Sequence, residues 1–332
     1  MAGQLWGVNA RGGYMFSENL SDYLRMSVQP RAIFRQFCQV PEDAVDLGLH
    51  RGGTYTWNVY SNIQTRGRRV AEADPAPESN FTITQASATV YEIMNTVPYT
   101  GQLEMLAEHD LISIIDKTLR LDAAKAFDIE AFLQFDDCLN RVAPTGGTST
   151  TAVTRTTNGS TATENNVALS TGHVKSISDA MREANVPPFV DNDYICLTHP
   201  STLRSFANEL ESINQYTQAG IGMVYAGEKG RYEGFRFVEQ TNIPKGGAID
   251  STTFDPYTDT ADAWNQGKSS WAFFFGDDTV IEPIVVPEEM RAKLPGDYGR
   301  DKGMGYYYLG CFAGVHETDY TQGRIWKWDS SQ

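Results

Sequence analysis

The sequence predicts an α+β protein, and three observations carry that reading. Apolar and polar residues alternate with period two at Thr54–Tyr60 and again from Phe81, as in half-buried strands. Residues 102–137 then hold a helical apolar period that no Gly or Pro interrupts. After them come short apolar strands and two amphipathic helices, without the strand–helix–strand rhythm of a parallel sheet. At 332 residues the chain exceeds the roughly 250–300 at which single cores stop growing, so two or more subdomains are expected.

Taken in order, residues 1–50 carry Pro30 and Pro41, show little sustained period, and read as an extended arm with a short helix near Ala32–Cys38. Tyr55, Trp57 and Val59 mark the inward side of the first strand, and Phe81 and Ile83 restart the pattern toward Val97, before Pro98. Between them lies QTRGRRVAEADPAPESN, residues 64–80, far longer than the two to five residues of an ordinary hairpin loop. Its charges are sorted: Arg66, Arg68 and Arg69 precede Glu72, Asp74 and Glu78.

The helix over 102–137 places Leu103, Leu106, Ala107, Ile114, Thr118 and Leu121 near one face, widened by Leu111, Ile115, Ala126 and Phe127. Asp110, Asp116, Lys117, Arg120, Asp122 and Lys125 form its solvated or subunit-facing side. Residues 140–170 are rich in Thr, Ser, Gly and Asn and read as an exposed insertion with little to bury. Thr171 is the expected N-cap of a helix striped by Val174, Ile177, Met181 and Ala184 and stopped by Pro187 and Pro188. Tyr194–Thr198 reads as a buried strand, followed by a His199-Pro200 turn and a helix marked by Leu203, Phe206, Ala207 and Leu210. Later strands are expected at 235–239, 271–275, 279–286, 306–312 and 324–328.

Composition narrows the function. The chain is 41% hydrophobic and carries 16 Phe, 16 Tyr and 6 Trp, enough for sizeable cores, so it is not wholly disordered. It holds 42 acidic against 27 basic side chains, a net charge of −15, which argues against non-specific phosphate binding. No apolar run reaches the ~20 residues a membrane helix needs, and the N-terminus shows no signal-peptide core. The expectation is a soluble, cytoplasmically made protein.

Searching for reaction chemistry returns little. Cys38, Cys138, Cys196 and Cys311 form no CxxC pair and read as reduced, mostly buried thiols. The five histidines show no HExxH or HxH, and His199 fits an ordinary strand-to-helix turn. Gly220-Ile-Gly222 and Gly227-Glu-Lys-Gly230 complete neither a P-loop nor a dinucleotide fingerprint, and GxSxG is absent. Asp136–Asp137, Asp277–Asp278 and Glu288–Glu289 are adjacent pairs, unlike acids that face one bond from separate elements. We therefore expect no enzyme activity, no catalytic or metal site and no cofactor.

What is left is architectural: an arm, a long charged hairpin, a spine-like helix and a following mixed domain. In that order they resemble the major capsid protein of tailed bacteriophages, the Hong Kong 97-like fold. Tyr194-Ile-Cys-Leu-Thr-His-Pro-Ser-Thr-Leu is similar to that family's strand, His/Asn-Pro turn and helix. Residues 230–244, from Gly230-Arg-Tyr-Glu-Gly to Asn242-Ile-Pro, are similar to its Gly-aromatic-strand-Glu segment. The resemblance implies an N-terminal arm (1–50), an extended hairpin and the start of a peripheral domain (51–100), and a spine helix plus Thr/Ser-rich insertion (101–170). An axial domain (171–262) and return strands (263–332) would follow.

It also implies a homo-oligomer of pentamers and hexamers in an icosahedral virion shell that encloses double-stranded DNA without sequence-specific binding. The implied partners are a separate scaffolding protein, since only about 50 residues precede the hairpin, a portal protein and a decoration protein, with no membrane. Assembly would take place in the host bacterial cytoplasm. Arg66, Arg68, Arg69, Glu72, Asp74 and Glu78 are then candidate inter-subunit contacts. Some members cross-link through a loop lysine; here the first lysine is Lys117, so a non-covalent shell is expected. A same-fold nanocompartment shell and a secreted acidic hydrolase are the alternatives.

Overall fold

The computed structural model describes residues 32–41, 52–61, 67–72, 74–145, 152–159, 167–214, 228–243 and 269–331. The expected arm outside 32–41, Arg66, the 220–227 glycines and most of the Thr-rich stretch lie outside the described residues.

Alternation becomes geometry at β1 (Thr54–Tyr60) and β2 (Ile83–Thr89), an antiparallel pair with Thr54 opposite Thr89 and Tyr60 opposite Ile83. Val90 leads directly into β3 (Tyr91–Thr100), so Pro98 does not end the strand. Proline is tolerated there because β3 is an edge strand, and an edge needs no donor on its free side. The expected 36-residue helix is two: α1 (Gly101–Leu106) and α2 (Leu111–Asp136). The break comes from a cap rather than a breaker, because the Asp110 carboxylate accepts from Ile112 N at 3.2 Å. The buried stripe of α2 is Leu111, Ile115, Leu119, Ala123, Phe127 and Phe132; Leu111, Ile115 and Phe127 were expected in it, whereas Ile114 and Leu121 are only half-buried and Thr118 is exposed.

Residues 140–170 depart most from expectation. β4 (Asn140–Pro144) and β5 (Val153–Thr156) pair with each other, and Asn140 and Val142 are fully buried. α3 (Thr171–Glu183) is capped by Ser170, not Thr171; Ser170 and His173 form a reciprocal capping box. Then follow β6 (Tyr194–Thr198), α4 (Pro200–Asn214), β7 (Glu228–Tyr232), β8 (Phe235–Glu239) and β9 (Ser269–Phe275). The strand expected over 279–286 is split at Pro283 into β10 (Val280–Ile281) and β11 (Ile284–Ala292). β12 (Asp301–Gly310), β13 (Ala313–Gly314) and β14 (Ile325–Ser331) complete the chain.

Among the described residues the strands form four sheets. The largest runs β5-β4-β14-β9-β6-β8-β7, and a second runs β11-β12-β3. β6 and β8 are parallel, joined by α4 and β7, so one crossover exists where none was expected. The apolar runs of β6 and β9, and the buried Ile325, Trp326 and Trp328 of β14, follow from their position. Trp271, Phe273, Phe275, Ile195, Leu197 and Ile325 face the core under α2, while Ala272, Phe274, Cys196, Trp326 and Trp328 face the core under α3 and α4. A strand buried on both faces has no polar side to show. All four cysteines are free thiols, and Cys138, Cys196 and Cys311 are buried.

Candidate inter-subunit contact surface

The hairpin is fastened at its root and bare at its tip. Tyr55 packs in a small core with Ile281, Cys311, Ala313 and Val315, with Trp57 against it. Trp57 Nε1 donates to Val315 O at 3.1 Å, and Val90 N donates to Gly53 O at 2.8 Å. Farther out the apolar side chains face no core: Tyr60 is 78% exposed, Phe81 60% and Ile83 57%. Phe81 and Ile83 were expected to line a half-buried strand; among the described residues nothing covers them.

Arg68, Arg69, Glu72, Asp74 and Glu78 are all exposed on the loop between the two strands. No ion pair among the described residues includes any of them. The structure thus does not bring the sorted charges together. It presents them outward on the loop that joins the two strands.

Sequence reasoning missed the clip that holds residues 33–37 inside the molecule. Phe34–Phe37 is a single 3-10 turn, and Phe34 (0% exposed) packs edge-on against Phe132 and Phe273 at 5.3 and 6.0 Å. The short helix expected near Ala32–Cys38 is this turn, and its Phe34 and Phe37 belong to the core. The buried Asp128 carboxylate holds it: Oδ1 accepts from Ile33 N at 2.7 Å and Phe34 N at 2.6 Å. Oδ2 accepts from Gln240 Nε2 and Asn242 Nδ2, each at 2.8 Å. Burial pushes this carboxyl up, and those donors oppose the shift. Arg35 continues the clip, bonded to Glu282 at 2.8 Å and Glu288 at 3.1 Å over the Phe127 ring. Asp128 looks like one more helix-surface acid in the sequence, and only its apolar neighbours in AKAFDIEAF hint otherwise.

The residues considered for chemistry have structural uses. His199 Nδ1 lies 2.6 Å from Ser201 Oγ at the start of α4. Asp278, at φ 52°, turns the chain between β9 and β10. Glu288 and Glu289 bond different arginines, Arg35 and Arg291. Among the described residues no three His, Cys, Asp or Glu side chains group as metal ligands, and no helix is long and apolar enough to cross a membrane.

A hairpin that presents exposed Tyr60, Phe81 and Ile83, and exposed loop charges in no ion pair among the described residues, has the character of a self-assembling structural protein. The chain is a member of the phage capsid family, whose model matches residues 12–255. The capsid of Ralstonia phage GP4 has the same fold, at a TM-score of 0.67 and 11% identity over 95% of each chain. The capsid of cyanophage Pam1 matches at 0.67 and 13% identity, over 95% of this chain and 97% of that one. The acid-stable capsid of Helicobacter pylori bacteriophage KHP30 matches at 0.65 and 11% identity, over 99% and 98%. No curated protein sequence matches significantly. The chain is a structural major capsid protein, a homo-oligomeric building block of an icosahedral phage shell.

Proposed function

We propose that this subunit closes into five- and six-membered rings through its hairpin, and that the resulting shell encloses double-stranded DNA by non-covalent contacts alone. The observation that carries this is the outer half of the hairpin, where Tyr60, Phe81 and Ile83 are exposed and the loop between the strands carries exposed Arg68 and Arg69, which enter no ion pair among the described residues. A ring contact joins two different surfaces, so one must be carried out to the neighbour. Apolar burial at the tip would supply most of the affinity, and the sorted charges, Arg66 among them, would fix register. No lysine precedes Lys117, so the loop has no amine to cross-link. Scaffolding, portal and decoration proteins, and assembly in the host cytoplasm, are proposed on the family alone. So is the division into arm, hairpin, peripheral and axial parts.

The test replaces Arg68 and Arg69 by Glu and follows assembly by sedimentation and electron microscopy. Closed shells from the unchanged chain, and unassembled but folded subunits from the variant, are expected. Normal shells from the variant would overturn the role given to loop charge.

A further inference from the structure

Arg68 and Arg69 enter no ion pair among the described residues, and one acidic cleft has no Lys or Arg among its described lining residues. An open cleft of about 540 Å³ lies at the hairpin root, between Trp57 and Ala86–Thr89 on one side and Gln134, Asp137 and Glu317 on the other. Two carboxylates and, among the described residues, no Lys or Arg line it. Glu317 Oε2 accepts from Leu139 N at 3.3 Å, the backbone N–H groups of Arg324 and Ile325 also favour its charged form, and Oε1 is buried with no hydrogen-bond partner of its own among the described residues. Burial outweighs those donors and pushes this carboxyl up to about 7. Asp137 adds to that push, stands exposed as the C-cap of α2, and enters no ion pair among the described residues.

We propose that Arg68 and Arg69 of one subunit enter this acidic cleft on a second copy of the chain, setting a guanidinium against Glu317 and Asp137. This rests on the ring reading above and names the surface the hairpin meets. A planar guanidinium offers five donors in a fork, which suits two carboxylates better than an ammonium does. Among the described residues neither Arg68 nor Arg69 of the same chain lines this cleft or forms an ion pair with its two acids. Tip and root are different patches on one chain, so joining them head to tail between copies generates a ring where the rotation between copies closes.

Two experiments on the full chain test this. In the first, Asp137→Arg is added to the Arg68→Glu/Arg69→Glu variant. Recovery of at least tenfold more sedimenting shells than the double variant gives is expected, while Asp137→Arg alone should lose shells. A triple variant no better than the double overturns the pairing. In the second, Arg69→Cys and Thr318→Cys are combined, Thr318 being an exposed residue of the cleft. Oxidised shells should give a disulfide ladder on non-reducing gels that neither single variant gives. Well-formed shells without a ladder sink the tip-to-root contact but leave the ring reading intact. Failure of the unchanged chain to form shells would sink the ring reading itself.

Discussion

Asp128 shows how much one residue can hold and how little its sequence advertises it. The carboxylate joins three distant pieces of chain: the 33–35 backbone, the spine helix, and the Gln240–Asn242 turn after β8. Removing it orphans buried amides that packing shields from water, each worth about 1–3 kcal/mol. Asp128→Ala is therefore expected to lower subunit stability by roughly 3 kcal/mol or more in urea unfolding. Limited proteolysis should then cut near residues 32–41 before the body unfolds. A loss below about 1 kcal/mol would show that the clip is dispensable. Helical periodicity could not find this residue, because the method assigns every acid off the apolar stripe to solvent. The outward charges Arg68, Arg69, Glu72, Asp74 and Glu78 were legible for the opposite reason: a loop with nothing to bury has no other use for them.

Among the elements, the hairpin is where local pattern and tertiary role agree. Tyr55, Trp57 and Val59 alternate as a strand should, and the structure uses Tyr55 and Trp57 to fasten the root. Among the described residues the hairpin's apolar attachment lies at its root, in Tyr55, Trp57 and Ala88. Trp57→Ala is expected to raise amide exchange across 54–60 and 83–89 at least tenfold, with the exchange of β6 and β9 unchanged. Equal slowing or speeding of both regions in hydrogen-exchange mass spectrometry would refute so local an anchor. Other elements resisted reading because tertiary partners overrode composition. β4 emerges from a Thr-rich stretch because β14 pairs with it in parallel, Trp326 opposite Asn140. The α1–α2 break is set by Asp110, a residue equally at home on a continuous helix face.

For the whole molecule, the order of elements carried more information than any motif, and it led to the family that the fold confirms. The crossover through α4 was invisible because β7 is inserted between the two parallel strands it joins. Charge is unevenly spread: residues 1–80 hold 8 basic and 8 acidic side chains, and the rest hold 19 against 34. An acidic body repels a polyanion, which suits the proposed role of enclosing DNA better than gripping it. Assembled particles boiled in denaturing detergent should run as a single subunit-sized band, and a surviving ladder would contradict a non-covalent shell. One further property follows from the β11-β12-β3 sheet. Each of its outer strands carries a proline, Pro287 in β11 and Pro98 in β3, and β11 is also bulged at 284–286 and 286–289. Proline removes the backbone donor that an incoming strand would need, and bulges twist the rim away from it. In a shell where many copies are held side by side, such rims keep neighbours from fusing into continuous cross-β ribbons.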